Sequence, residues 1–409
     1  MKKTIWLILI VQSIMPFHLK YISDPKALCL DGSPSSFYKA EGYGTGAKKY
    51  ILHFQGELRI GGQTYDQLVE SAYTRSKTDL GSSKNLNQQM LYSRWFGRIK
   101  NGNEHYYNWK MIYLNYKHQG YKSDPIEYEG QKLYFRGDQI VKSWLSELYD
   151  DLSKAEIVIV SGCSAGGIAA YFWVDYIRSK LPASVVVYGI PDSGIFIDME
   201  AIDGTNNPRQ SLDLLIELVN SEKWKCYYAQ YLLEYIKTPL FIVQSLYDYY
   251  SLSQMFKVDC ANNYNLTQCT QDELDFSQIL YSKTYDVITK RKSSFQETGG
   301  FAPSCIEHCF LLTSGYNSAD RLNFKDLHKN NINIFQYGPI QINAVPGESG
   351  NTLSNTLNKW LNSNQKYDDN IYLDRVEWPE NLKCSNSKLS NYSSQFQIII
   401  LILISSIIS

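Results

Sequence analysis

The chain has 409 residues, 44% of them hydrophobic and 20% charged, which is a globular composition long enough to bury a sizeable core. Forty basic and 41 acidic residues leave a formal net charge of −1. That balance, with no basic stripe, excludes a nucleic-acid partner, and the cluster Lys290-Arg291-Lys292 reads as a solvated face.

The N-terminus opens with Lys2 and Lys3 and continues into an apolar run, Ile5 to Met15. This is the layout of a secretory leader, assigned to residues 1–22 with cleavage between about Ser13 and Ser23; the run is too short for a membrane span. No internal repeat or long linker interrupts residues 23–384, so one domain is expected there. Tyr50 to Gln55 reads as a strand ending in the glycine-bearing loop Gly56-Glu57-Leu58. His53, inside that strand, reads as a core histidine. Asn108 to Tyr116 alternates as a second strand, and Gly137 to Ala155 carries Ile140, Val141, Trp144, Leu145, Leu148 and Leu152 at helical spacing.

The most informative stretch follows. Ile157-Val158-Ile159-Val160 is a buried strand in composition, Gly162-Cys163-Ser164-Ala165-Gly166 is Gly-x-Ser-x-Gly, and Ile168 to Leu181 is amphipathic. Strand, sharp glycine turn and helix form the context of a nucleophile elbow, which presents a serine hydroxyl at the carboxyl end of a strand. Ser164 is therefore the candidate nucleophile. The Ala165 amide, at the helix N-terminus, is a candidate oxyanion donor. In folds of this kind the second donor comes from an early strand-to-helix loop, here Gly56, Glu57 and Leu58.

Ser184 to Ile190 is the next expected strand, ending in a turn at Pro191-Asp192-Ser193-Gly194. Ser211 to Ile236 is read as mostly helical, Leu240 to Gln244 as a buried strand, Ile332 to Phe335 as a strand or loop, and Leu353 to Asn362 as a late helix. Strands alternating with helices imply an α/β fold with a mostly parallel sheet covered by helices on both faces, its site at the carboxyl ends of the strands.

A serine nucleophile requires a base and a group that orients it, in the chain order Ser, acid, His. Only His308 and His328 follow Ser164. His308 lies in the cysteine-flanked stretch Pro303-Ser304-Cys305-Ile306-Glu307-His308-Cys309, which favours it over His328 in a charged stretch. Asp248, just past the strand Leu240 to Gln244, is the favoured acid; Asp192 is its rival, otherwise a structural aspartate near the site. No His-x-x-x-His or Cys-x-x-Cys pattern points to a metal, and no cofactor motif is present.

Eight cysteines in a secretory chain imply disulfides. Cys163, inside the elbow, is expected as a free buried thiol, which leaves seven others; Cys260 with Cys269 is the expected short-loop pair. Asn265-Leu266-Thr267 and Asn391-Tyr392-Ser393 are glycosylation sequons. At the C-terminus, small residues Ser385-Asn386-Ser387, a polar spacer and the apolar run Phe396 to Ser409 match a glycolipid-anchor signal, residues 385–409, to be removed. These features place the mature chain outside the cell, on the membrane surface.

Ordered motifs then carry a family resemblance. They are Cys29-Leu30-Asp31-Gly32-Ser33-Pro34, His53-Phe54-Gln55-Gly56, Leu80-Gly81-Ser82-Ser83, Asn108-Trp109, Phe135-Arg136-Gly137 and Gly162-Cys163-Ser164-Ala165-Gly166-Gly167. Asp192-Ser193-Gly194-Ile195-Phe196, Gln244-Ser245-Leu246-Tyr247-Asp248 and Ser304-Cys305-Ile306-Glu307-His308-Cys309 follow. The chain resembles the pectin acetylesterase/Notum family of secreted serine esterases over about Leu28 to Asn362. The resemblance implies an α/β-hydrolase-like fold, a triad of Ser164, Asp248 and His308, and an acylated saccharide or acylated protein as substrate. Two departures stand out. The family's glycine run after the early strand is here Gly56-Glu57-Leu58, and its Tyr-Cys-Asp-Gly segment is Tyr116-Lys117-His118-Gln119-Gly120. The expected activity is deacetylation of O-acetylated polysaccharide. The alternatives are a Notum-like deacylase of a lipidated protein and an inactive surface binding protein, the last supported by Glu57 at the oxyanion loop.

Overall fold

The computed structural model describes residues 16–380 except 57–60, 63, 93, 99, 101–102, 116–123, 206–223, 264–265, 312–321, 324–351 and 364–370. Within these residues the strands are β1 (Phe17–Tyr21), β2 (Ser36–Ala40), β3 (Lys49–Phe54), β4 (Gln89–Leu91), β5 (Lys110–Leu114), β6 (Ile126–Tyr128), β7 (Gln131–Leu133), β8 (Ile157–Cys163), β9 (Val186–Asp192), β10 (Phe241–Val243), β11 (Gly299–Ala302), β12 (Leu322–Asn323) and β13 (Ile371–Leu373). The helices are α1 (Tyr65–Ser76), α2 (Gly137–Leu152), α3 (Ala165–Lys180), α4 (Ala229–Leu232), α5 (Gln271–Ser294) and α6 (Leu353–Leu361).

Eleven strands form one sheet in the order β12-β4-β1-β2-β5-β3-β8-β9-β10-β11-β13, and β6 and β7 form a separate hairpin. From β5 to β13 every pairing is parallel; β12, β4, β1 and β2 extend the sheet antiparallel. The arrangement is the expected α/β, α/β-hydrolase-like sheet, and its central strands are buried on both sides. On β3, Tyr50, Leu52 and Phe54 join Val158 and Val160 of β8 against Trp144 of α2 and Val174 of α3. Ile51 and Ile159 face the other way, into a cluster with Trp95, Phe96, Leu353, Leu357 and Trp360. A residue alternation of two with both faces apolar is what a doubly covered parallel strand requires.

Helix boundaries follow local chemistry. The Thr64 hydroxyl accepts from Gln67 N–H at the start of α1, and Thr270 with Glu273 forms a reciprocal capping box at α5. No helix among the described residues is long and apolar enough to cross a membrane.

Two expectations, on the strand after Ser184 and on the helix after Ser211, change. The strand expected to stop at Ile190 runs on through Pro191 and Asp192, where a turn was expected. Pro191 is tolerated because it forfeits one rung only: Gly189 N–H donates to the Pro239 carbonyl and Ser193 N–H to the Val243 carbonyl on either side of it. Phe17–Tyr21 is a strand paired with both β2 and β4, and Phe17 is fully buried. Of the helix expected over Ser211 to Ile236, the described part is a series of short turns, Trp224–Tyr227, α4 and Leu233–Tyr235. Ile332 to Phe335 lies outside the described residues.

Candidate active site

Ser164 sits between β8 and α3 with φ 57° and ψ −122°, a conformation that a non-glycine residue adopts only when its surroundings impose it. Those surroundings are glycine backbones. The register pairs Phe54 with Gly162, and just beyond that pair a β-carbon at Gly56 would collide with the Cys163 carbonyl oxygen. A β-carbon at Gly166 would meet the Phe54 carbonyl oxygen in the same way. The half-buried Ser164 thus stands at the carboxyl edge of the sheet. Ala165 opens α3, so its N–H has no acceptor within the helix and is available to an anion. Glu57 and Leu58, the other predicted donors, lie outside the described residues; Gly56 is the last described residue of that loop.

His308 and Asp248 meet. His308 Nδ1 lies 2.7 Å from Asp248 Oδ2, and both side chains are buried. The second carboxylate oxygen of Asp248 accepts from the Ser251 amide and hydroxyl, each at 2.8 Å, which holds the carboxylate in place. The two loops are also joined through their backbones: Leu246 N–H donates to the Pro303 carbonyl and Tyr249 N–H to the Glu307 carbonyl. Tyr250 stacks on the His308 ring at 5.3 Å, and Phe196 packs against it at 6.5 Å. Burial alone would push the imidazole down, but the Asp248 charge and hydrogen bond, with smaller contributions from Asp192 and Glu307, raise it above the ordinary histidine value. An imidazole that donates Nδ1–H to a carboxylate carries its lone pair on Nε2, the nitrogen that can accept a proton. His328, the other position considered for the base, lies outside the described residues.

Asp192, the rival acid, faces a different task. It is fully buried at the end of β9, where its Oδ1 accepts from Phe310 N–H at 3.1 Å and its Oδ2 from Leu311 N–H at 2.7 Å. Burial pushes its carboxyl up to about 6, against the opposing pull of these amides, Ser193 and His308.

The free thiol expected at Cys163 is corrected: Cys163 is joined to Cys309 in a disulfide with Cα atoms 5.6 Å apart. Each cysteine is the immediate neighbour of a predicted site residue, Ser164 in one case and His308 in the other. Leaving Cys163 out produced the odd cysteine count, and that oddness was the signal available in the sequence. The expected Cys260–Cys269 pair is present, and Cys305 is also disulfide-bonded. Two clusters among the described residues bring potential metal-ligand atoms within 4.8 Å of one another, Cys163 with His308 and Cys309, and Cys260 with Cys269 and Glu273. In both, the cysteines are oxidised to disulfides and present no thiolate to an ion.

His53, fully buried on β3, stacks on Tyr113 and stands edge-on to Phe96, with Nδ1 3.3 Å from Ser161 Oγ. Burial pushes it down to about 3, so it is a neutral core residue at physiological pH.

The pectinacetylesterase family model matches residues 12–385 of this chain. The chain belongs to the pectinacetylesterase family. Pectin acetylesterase 5 of Arabidopsis thaliana is 28% identical over 314 residues, covering 70% of this chain and 71% of that protein. The palmitoleoyl-protein carboxylesterase Notum of Schmidtea mediterranea is 25% identical over 327 residues, 73% of this chain and 58% of that one. In fold, the pectinacetylesterase-family chain is similar to the crystal structure of the Wnt deacylase Notum from Drosophila, with a TM-score of 0.68 over 90% of this chain and 99% of the other, at 20% identity. Membership of this esterase family is consistent with a serine-hydrolase-type activity, and the chain has relatives on both the pectin acetylesterase and Notum branches.

Proposed function

We propose that this chain is a carboxylic ester hydrolase using Ser164 as nucleophile, His308 as base and Asp248 as the group that orients His308. The observation that carries the proposal is the 2.7 Å contact of His308 Nδ1 with Asp248 Oδ2, on loops at the same sheet edge as the elbow turn of Ser164. Ser164 Oγ attacks the ester carbonyl while His308 Nε2 takes its proton. The amides of Ala165 and of the Gly56-Glu57-Leu58 loop receive the oxyanion. Collapse expels the alcohol, which takes the proton back from His308 and leaves an acyl-Ser164 ester. Water, deprotonated by His308, then cleaves that ester to release the carboxylic acid and regenerate Ser164.

The proposed substrate is an O-acetylated polysaccharide, so that the acid released is acetate. Two observations support this choice over a long acyl chain. The pectin acetylesterases of Arabidopsis thaliana match at 26–28% identity against 21–25% for the Notum proteins. The Ser304-Cys-x-x-His308-Cys309 pattern also resembles the acetylesterase branch.

The reading extends to location. A leader cleaved at or before Pro16 spares β1, and a glycolipid anchor attached near Ser385 holds the mature chain on the outer membrane face. Asn265, in the loop closed by Cys260 and Cys269, is the proposed glycosylation site.

A fluorophosphonate probe and a series of aryl esters of increasing acyl length test the function. Rapid labelling of Ser164 with turnover falling steeply from acetate to longer chains is the expected result. Preference for long chains would move the chain to the lipid-deacylase reading, and absence of both labelling and turnover would leave only a binding role on the same scaffold.

A further inference from the structure

We propose that Asp192 is a positioning residue for the reaction, linking the nucleophile turn to the histidine loop through its main chain on one side and its carboxylate on the other; this rests on the assignment of Ser164 and His308 made above.

The connection is short and complete. Ser164 N–H donates to the Asp192 carbonyl at 2.9 Å. The Asp192 carboxylate accepts from Phe310 N–H and Leu311 N–H, the second and third residues after His308. Ser193 continues the contact: its hydroxyl accepts from Cys309 N–H at 2.8 Å and lies 3.1 Å from Asp192 Oδ1, to which it donates. Three consecutive amides directly after His308 are therefore held by two consecutive residues at the end of β9. That end cannot shift by itself. Asp192 is in register with Cys163 on β8 and with Val243 on β10, and Ser193 N–H donates to the Val243 carbonyl.

A buried aspartate that merely caps a turn accepts amides from its own neighbourhood in sequence. Asp192 instead reaches residues 118 and 119 positions away, on the loop that carries His308. The conformations at the junction are of the kind that persist only when over-determined by their surroundings. Ser164, Ser193 and Cys309 all have positive φ, at 57°, 49° and 68°. A carboxylate is the one small side chain that accepts from two successive amides at once without offering a donor of its own. Its charge has a second effect. Asp248, Asp192 and Glu307 all act on His308, and all three favour the protonated imidazole. Asp192 in turn acts on His308 and on the buried phenol of Tyr171 on α3.

The test compares Asp192→Ala, Asp192→Asn and Ser193→Ala in the full chain, reading kinetics on an aryl acetate, amide hydrogen exchange and the NMR titration of His308. Asp192→Ala is expected to lower kcat on the order of 100-fold with KM little changed, because misplacing the base by a fraction of an ångström costs transition-state stabilisation rather than binding. Ser193→Ala, which releases one amide, is expected to lower kcat about tenfold. Both should speed exchange at Cys309, Phe310 and Leu311. Asp192→Asn retains one acceptor, should fall between them, and should move the His308 titration to lower pH by removing a negative charge. Faster exchange at these amides with wild-type kcat would overturn the proposal, as would a lowered kcat with unchanged exchange and titration. If Asp192→Ala does not fold, Ser193→Ala and Asp192→Asn decide by the same criteria. A wild-type chain that neither turns over ester nor labels would refute the esterase reading. The exchange and titration data would still judge the link, since their constancy in Asp192→Asn would overturn it without reference to activity.

Discussion

Cys163 and Cys309, flanking Ser164 and His308 in the sequence, are joined in a disulfide, so the Ser164 turn and the His308 loop are covalently one unit. The bond closes a sequence separation of 146 residues, across which an unfolded chain would otherwise roam freely. Replacing both cysteines by serine should lower unfolding free energy by about 2–4 kcal/mol, measured by urea denaturation, and lower kcat as well. Unchanged stability and turnover would mean that packing alone holds the two segments.

Ser164→Ala and His308→Ala should each reduce kcat by at least about 10⁴-fold while leaving folding and secretion intact, and Asp248→Asn by about 10³–10⁴-fold. Circular dichroism checks the fold and aryl acetate hydrolysis the rate. If His328→Ala were the inactive variant and His308→Ala were active, the base would have been misassigned.

The Asp248 contact sets the pH dependence. As the proposed base, His308 must be neutral to accept the Ser164 proton, and its affinity for a proton is raised in the folded chain. The acid limb of kcat/KM should therefore have its midpoint above about 6.5, the value of an unperturbed histidine. The same raised value contributes stability that is present in full below about 6.5 and is lost as pH rises through the folded-state value. A rate profile flat from about pH 5 to 8 would show that another group serves as base.

His53 acts in the opposite sense. Held neutral by burial down to about 3, it leaves the unfolded chain alone able to take up a proton as pH falls below the ordinary histidine value. Stability conferred by this site is present above about 6.5 and declines towards acid. Asp192, raised to about 6, offsets part of that decline, because between 6 and the ordinary aspartate value the folded chain binds the extra proton. In His53→Phe the loss of stability between about pH 6.5 and 4 should be shallower, as read by chemical denaturation at each pH. An equally steep loss would exclude His53 as its source.

The mature protein should be released from the cell surface by phosphatidylinositol-specific phospholipase C. The run Phe396 to Ser409 would form a helix of about 21 Å, short of the roughly 30 Å hydrocarbon layer, so spanning would leave backbone polar groups unsatisfied in lipid. Recovery of the Phe396–Ser409 peptide from the mature chain by mass spectrometry would rule the anchor out.

The elbow was legible because its physics is local. A β-branched run, glycines that let backbones approach, and an amphipathic segment behind them specify strand, turn and helix without reference to the rest of the chain. The parallel centre, β3, β5, β8, β9 and β10, was legible for a similar reason, since strands buried on both faces must be apolar. The pairing of Asp248 with His308 was anticipated by chain order together with family resemblance; on position alone His328 remained in play.

Other features are set by distant partners. Phe17–Tyr21 is a strand because β2 and β4 supply its hydrogen bonds, although its neighbours in sequence resemble a leader. Gly299–Ala302 has a poor strand composition, yet Gly299 is required there because a β-carbon would strike Phe241 and Trp360. Pro191 signalled a turn, but ladders on both sides of β9 carry the strand past it. By itself the sequence determined the fold class and the serine turn, both of which rest on spacing and composition. Only the tertiary structure decided that Cys163 meets Cys309 and that Asp192 holds the loop of His308, because those contacts join residues more than a hundred positions apart and leave no periodic trace between them.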